Sequence, residues 1–345
     1  MDAPSDTPSK RGFGTVTLSP SGHRFDAKPG QSILEAALRA GRSPAFGCAN
    51  GSCGECRAKV LSGKTERIRF HDYAFSDAEK IEGWILPCSV APVGEVVIES
   101  TEALGVDDIA HQRVRARIIR IERTKEDPLV LSVHIKLRRA RVLRYLSGQR
   151  VRLHIEGGPT FETWLASCPC ESVDMRVHLR LGDHLAHAFF FEDHAQGARL
   201  EIEGPTGRFV LDDPGGRTLI FIAFDTAFAP IESLIEHVIN REFDVPIRLA
   251  RVQKGVPYRH DHCRAWADAL DDFRYYPIAA NEGEPSDSIA SRVCESALCE
   301  ISPGQGSLES RADAYLAGPS DFVAACREEL IRRGLCRHRI KTDCL

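Results

Sequence analysis

Four cysteines in the first quarter of the chain have the spacing of an iron-sulfur site. Four residues separate Cys48 from Cys53 and two separate Cys53 from Cys56, while Cys88 follows after a longer interval. Four thiolates in this pattern hold a [2Fe-2S] cluster. A structural zinc site with four thiolates is the alternative, although a four-residue interval and a glycine-rich loop are unusual for it. The spacing therefore predicts one-electron transfer.

The residues between these cysteines are small, namely Ala49, Gly51, Ser52 and Gly54. Small side chains let the backbone wrap closely and aim its amide N–H groups at the cluster sulfurs. Such donors favour the extra negative charge of a reduced cluster.

Local signals predict a small sheet with short helices around the cysteines. Residues 15–18 and 23–26 form a predicted hairpin, a helix runs from residue 32 to about 40, a second begins at residue 76, and residues 96–99 form a closing strand. Ser32 with Glu35 and Ser76 with Glu79 have the spacing of capping boxes, and Gly41 is a predicted helix stop.

Residues 13–100, with these elements and the cysteine loop, resemble the plant-type ferredoxin family. The resemblance implies a ferredoxin-like β-grasp. It also implies that Cys48 and Cys53 hold one iron, and that Cys56 and Cys88 hold the other.

Composition is typical of a cytoplasmic redox protein with no nucleic-acid partner. The chain has 345 residues, a net charge of −4 and 43% hydrophobic residues. No apolar run is long enough to cross a membrane. Eight of the 12 cysteines lie outside the cluster site and show no disulfide framework, so we expect reduced thiols.

One run of the sequence is strongly basic, and it contains Arg138, Arg139, Arg141 and Arg144. A solvated surface is one interpretation of this run. A docking patch for an acidic redox partner is the other.

The remainder of the chain changes pattern twice. Short alternating strands after residue 105 predict a six-stranded antiparallel β-barrel, and strand-helix alternation after residue 213 predicts a doubly wound parallel sheet. The predicted domains are 12–105, 106–213 and 214–345. The fold class is thus a multidomain chain of α+β and α/β parts.

Residues 147–149 and 204–209 resemble the flavin domain of the ferredoxin-NADP reductase family. From about residue 12 onward, the chain resembles a ferredoxin module fused to a reductase-like module, the order found in oxygenase reductases and CDP-6-deoxy-glucoseen reductases. The resemblance implies redox partner proteins, an electron donor and an acceptor such as an oxygenase. It also implies sites for FAD and NAD(P)H.

The flavin motif of this family departs from its usual form here. Residues 161–167 align with R-x-Y-S-x-A-S, so that Phe161 replaces the phosphate-binding arginine and Thr163 the tyrosine. Trp164 replaces the serine, and it either stacks on a flavin ring or packs in the core. A shift of one residue puts Glu162 in the motif, where its charge repels a diphosphate.

The nicotinamide motif G-G-T-G-x-A-P also departs, at residues 224–230. Thr226 is retained and marks the nucleotide position, but all three glycines are replaced, one of them by Asp225. Further on, residues 317–320 read A-G-P-S where the family has C-G-P-x, and Leu345 stands at the terminal aromatic position. These changes predict that binding of FAD and NAD(P)H is weak or lost.

The sequence therefore predicts a [2Fe-2S] electron-transfer protein whose reductase-like module acts as a docking platform. The alternative is a working NAD(P)H- and FAD-dependent reductase component that feeds an oxygenase. A redox-sensing regulator is a third possibility, without a DNA-binding element in its favour.

Overall fold

The computed structural model describes residues 14–138, 140–170, 174–180, 182, 189–190, 195–299, 301, 308 and 311–344. Arg139 and Leu345 thus lie outside the described residues. The chain divides into two compact units. The first comprises Met1–Ile109, Arg138–Arg144 and Pro169–Val173, and the second comprises Ala110–Leu137, Tyr145–Cys168 and Asp174–Leu345. The predicted domain boundaries at residues 105 and 213 remain predictions.

The first unit is built on a five-stranded mixed sheet with the order β2-β1-β5-β3-β4. Its elements are β1 (Gly14–Ser19), β2 (Arg24–Ala27), α1 (Ile33–Arg39), β3 (Ala58–Arg67), α2 (Asp77–Ile81), β4 (Trp84–Ile85) and β5 (Val90–Glu99). β1 is antiparallel to β2 and parallel to β5. Buried apolar residues of α1 pack on one face of this sheet, as the ferredoxin-like prediction requires.

Both predicted capping boxes are present. The backbone N–H of Glu35 donates to Ser32 Oγ at 3.2 Å, and the N–H of Ser32 donates to Glu35 Oε2 at 3.1 Å. The same pair of hydrogen bonds joins Ser76 and Glu79 at the start of α2. α1 ends just before Gly41, whose φ of +65° suits a glycine stop.

The second unit begins with a six-stranded antiparallel sheet of order β10-β7-β6-β11-β8-β9. Its strands are β6 (Gln112–Arg123), β7 (Val130–Leu137), β8 (Arg150–Ile155), β9 (Thr160–Trp164), β10 (Asp174–Arg180) and β11 (Arg199–Thr206). The sheet curls into a half-barrel, and the Ala166 amide donates to the Arg176 carbonyl at 2.8 Å where its two edges approach.

A five-stranded parallel sheet of order β14-β13-β12-β15-β16 completes the second unit. Its elements are β12 (Thr218–Phe224), α3 (Phe228–Asn240), β13 (Ile247–Gln253), α4 (His260–Ala269), β14 (Phe273–Ala279), α5 (Ser286–Leu298), β15 (Ala312–Ala317), α6 (Ser320–Arg332) and β16 (Ile340–Asp343). Alternate residues of β12 face two cores, with α3 and α4 on one face and α5 and α6 on the other. This is the predicted doubly wound arrangement.

Several elements were not predicted, among them β3, β4, β14, α5 and β16. Most of the ten residues of β3 are exposed, so that strand lacks the alternating apolar pattern. α5 follows Pro285 and has no side-chain hydrogen bond at its N-terminus. Among the described residues, no helix has the length and apolar character needed to cross a membrane.

Candidate metal centre and reductase-like positions

The four cysteines of the predicted cluster site come together in the first unit. Cys48, Cys53 and Cys56 lie in the loop between α1 and β3, and Cys88 lies in the turn before β5. The Sγ atoms of Cys56 and Cys88 are 3.5 Å apart. Two sulfurs on one tetrahedral metal with bonds of about 2.3 Å are separated by about 3.8 Å, so this pair suits one iron.

The loop directs amide donors at the sulfurs, as the small residues predicted. The Cys53 amide donates to Cys48 Sγ and the Glu55 amide donates to Cys53 Sγ, each at 3.4 Å. Ser89 Oγ lies 3.5 Å from Cys88 Sγ. These dipoles stabilise negative charge on the sulfurs.

Burial and hydrogen bonding move the thiol pKa values in opposite directions. The Cys56 thiol hydrogen bonds to Cys88, which lowers the pKa of Cys88 to about 6 despite its burial. The same hydrogen bond, together with burial, raises the pKa of Cys56 far above its ordinary value. Thiolates bind metal in their deprotonated form, so cluster assembly displaces the proton of this hydrogen bond.

Two glycines allow neighbouring segments to approach the loop closely. Gly51 has φ +79°, and a Cβ there would lie 2.4 Å from His71 Cβ. Gly54 has φ +75°, and its Cβ would lie 2.2 Å from an aromatic carbon of Tyr73. Both positions therefore require glycine for its backbone conformation and for its lack of a side chain.

We expect Gly54→Ala to reduce cluster content by more than half and to destabilise the first unit. The left-handed conformation alone costs an alanine about 1 kcal/mol, and the clash with Tyr73 adds to it. Gly94→Ala is the matched control, because Gly94 has φ +74° and no atom near its Cβ position. Iron and sulfide analysis with thermal unfolding gives the comparison, and equal cluster content in the two variants would contradict the steric argument.

The flavin-motif positions of the second unit are occupied by contacts within the chain. Trp164 is buried at the end of β9, and its Nε1 donates to Asp343 Oδ2 at 2.7 Å. Arg150 Nε donates to the same oxygen at 3.0 Å, and its guanidinium lies 5.3 Å from the centre of the indole ring. Phe161 packs edge-on against Phe190. The sequence predicted neither partner of Trp164, since both lie far from it in the chain.

The turn at residues 224–230, where the family has its nicotinamide motif, is called the nucleotide turn here. It carries a carboxylate that is paired with an arginine. Asp225 follows β12 with φ +53°, a conformation rare for a residue with a side chain, and Arg180 Nε lies 2.6 Å from its Oδ2. Arg180 also binds Asp127 at 2.5 Å, so the three side chains together carry one net negative charge. Thr226, the retained motif residue, is half-buried in the same short turn. Thr226 and Trp164 are the two residues assigned from the sequence to the nucleotide and flavin positions. Within the described chain no hydrogen bond connects them.

Aromatic side chains occupy one replaced glycine position, Phe224, and the variable position of the motif, Phe228. Phe224 packs against Phe322 of α6 with ring centres 5.1 Å apart. A Cβ at Gly318 would lie 2.8 Å from Phe224 Cβ, so this glycine of the A-G-P-S turn leaves space for the phenyl ring. Phe228 is fully buried, and the Arg251 guanidinium lies 3.7 Å from its ring centre.

A second group of potential metal ligands is neutralised by arginines. Ligand atoms of Glu232, Glu236 and His262 lie within 4.8 Å of one another. Arg259 binds Glu232 at 2.7 Å, and Arg176 binds Glu232 at 3.2 Å and Glu236 at 2.6 Å. Two guanidiniums at the carboxylates repel a cation, so we interpret this group as a buried ion-pair network.

Comparison with known proteins agrees with this architecture. Residues 16–93 match the 2Fe-2S iron-sulfur cluster binding domain. The chain is 30% identical over 323 residues to the phenol 2-monooxygenase reductase component DmpP of Pseudomonas sp. (strain CF600), covering 92% of this chain and 90% of that protein. It is 24% identical to the CDP-6-deoxy-L-threo-D-glycero-4-hexulose-3-dehydrase reductase of Yersinia pseudotuberculosis, covering 95% and 97%.

A solved structure is similar over nearly the whole chain. The crystal structure of the Amycolatopsis cytochrome P450 reductase GcoB matches with a TM-score of 0.56 at 25% identity, covering 95% of this chain and 98% of that one. The chain belongs to the family in which a [2Fe-2S] ferredoxin domain is joined to a ferredoxin reductase-like module. It is a [2Fe-2S] electron-transfer protein that passes single electrons between redox partners.

Proposed function

We propose that Cys48, Cys53, Cys56 and Cys88 hold the cluster, and that the reductase-like module supplies neither flavin nor nicotinamide chemistry. The cluster then receives its electron from a separate protein and passes it to an acceptor, an oxygenase by analogy with the relatives. The contact of Trp164 with Asp343 and Arg150 is the observation that carries this proposal.

A fixed indole occupies one of the flavin-motif positions, and the nearby positive charge is already paired. The indole of Trp164 stands where the family motif has a serine, and a hydrogen bond to Asp343 holds it in place. Arg150 is the nearby cation, but the Asp343 carboxylate neutralises it. The motif arginine itself is replaced by Phe161, so a flavin diphosphate lacks its expected partner.

The nucleotide turn opposes a dinucleotide on electrostatic grounds. The group of Asp225, Asp127 and Arg180 retains a negative charge beside the expected diphosphate position. Repulsion at partial burial amounts to a few kcal/mol, enough to convert micromolar binding into millimolar binding. Phe224 also replaces a glycine that would let the backbone approach the phosphates.

A second candidate function is a complete reductase component that binds FAD and NAD(P)H through other contacts. Similarity across 92% of the chain to a phenol 2-monooxygenase reductase component favours it. In either case the eight cysteines outside the cluster site show no disulfide framework in the sequence, which supports a cytoplasmic location. We keep the domain boundaries at residues 105 and 213 as part of the proposal.

Calorimetric titration distinguishes the two candidates. We expect dissociation constants of about 1 mM or weaker for FAD, NADH and NADPH. The triple variant Phe161→Arg, Thr163→Tyr, Trp164→Ser restores the family motif and is the comparison for FAD, which it should bind more tightly than the natural chain. Micromolar binding of FAD and of either nicotinamide nucleotide by the natural chain would establish the second candidate instead.

A further inference from the structure

A short basic segment, Arg138–Arg144, belongs to the first unit although it connects two strands of the half-barrel. Arg138 and Arg141 are exposed and joined by an isolated antiparallel bridge. Neither guanidinium forms an ion pair with a carboxylate in the part of the chain that the structure describes. The segment therefore presents uncompensated positive charge to solvent.

Hydrogen bonds connect this segment to the loop that contains the cluster cysteines. The Val142 amide donates to the Gly47 carbonyl at 2.9 Å, directly before Cys48. Arg144 Nη2 donates to the Ser43 carbonyl at 3.3 Å, and the guanidinium lies 5.8 Å from the ring centre of Phe46. Val142 and Leu143 are buried. The arginines are thus held at a fixed place next to the cysteines.

One acidic group, Glu55, offsets only part of the charge of this segment. Glu55 lies beside Gly47, and its charge acts on Arg144. Those two charges offset each other, which leaves the formal positive charges of Arg138, Arg139 and Arg141 in this segment. A local positive field next to a redox centre attracts and orients negatively charged partners.

We propose that Arg138 and Arg141 form a docking surface for the acidic face of a one-electron redox protein. This inference rests on the proposed function, because it assigns the surface through which the cluster exchanges electrons. A protein partner is favoured over nucleic acid, since the patch is small and the whole chain has a net charge of −4.

The rates at which small complexes of opposite charge oxidise the reduced cluster test whether Arg138 and Arg141 create a local positive field. Anaerobic stopped-flow follows the transfer of one electron from the cluster to stoichiometric hexacyanoferrate(III), a trianion, or to hexaamminecobalt(III), a trication. In Arg138→Glu, Arg141→Glu we expect the rate with the trianion to fall about tenfold at low ionic strength and the rate with the trication to rise. The differences should disappear near 0.5 M salt, by screening over about one Debye length.

Arg115→Glu, Arg117→Glu is the matched control, because it makes the same charge change at two exposed arginines of β6. It should leave both rates within about twofold. Arg138→Gln, Arg141→Gln should give a smaller change in the same direction and serves if the glutamate variant is unstable. Rates equal to those of the natural chain, with the cluster spectrum intact, would overturn the docking surface. A chain that assembles no cluster contradicts the proposed function instead.

Competition between a polyanion and the trianionic oxidant for this surface identifies the class of partner. Poly-L-glutamate should slow oxidation by the trianion in the natural chain and have little effect on the Arg138→Glu, Arg141→Glu variant. Stronger competition by duplex DNA of equal charge would overturn the assignment to an acidic protein and make the surface a nucleic-acid site. An equal effect of poly-L-glutamate on both proteins would also overturn it.

Discussion

Cys53→Ala should reduce the iron and sulfide content from about two of each per chain to nearly none. Cys53 is the half-buried member of the site, and its sulfur accepts a hydrogen bond from the Glu55 amide. Alanine leaves three thiolates, so one iron loses a ligand that no described neighbour replaces. Chemical iron and sulfide assays with the visible spectrum measure the loss.

Cys299→Ala is the control for this substitution, since Cys299 is an exposed thiol of the second unit. It should keep the full cluster content. Metal analysis of the natural chain also separates the iron-sulfur and zinc interpretations of the four cysteines. Retention of a complete cluster by Cys53→Ala, or stoichiometric zinc without sulfide, would show that our ligand assignment is wrong.

NADH should fail to reduce the cluster, with or without added FAD. A nicotinamide donates a hydride, and a flavin is needed to divide its electron pair into single electrons. The flavin positions are occupied by Trp164 with its partners Asp343 and Arg150, and the nucleotide turn bears Asp225. Anaerobic mixing should therefore leave the visible absorption of the cluster unchanged over minutes.

Dithionite supplies the positive control, because plant-type clusters have potentials of about −400 mV and accept an electron from a strong one-electron donor. Bleaching by dithionite together with no response to NADH is the expected pair of results. Rapid bleaching by NADH in the presence of FAD would instead place the chain among the complete reductase components.

Much of the local structure around the cluster could be predicted from the sequence. The capping boxes at Ser32 and Ser76 and the turn at Gly41 depend on residues within three or four positions of one another, and the structure confirms them. The cysteine spacing similarly predicted the cluster domain. Such features are visible in sequence because the interacting groups are neighbours along the chain. β3 was missed since its exposed residues give no alternating pattern.

The sequence by itself thus determined the cluster chemistry and the loss of the glycine-rich turn. Only the tertiary structure decided what replaces the missing motifs. Trp164 and Asp343 are 179 residues apart, and Arg150 and Asp343 are 193 apart. The Val142 amide likewise donates to the carbonyl of Gly47, which lies far from it in the sequence. Contacts of this kind depend on how sheets and helices bring distant segments together, and no local spacing encodes them.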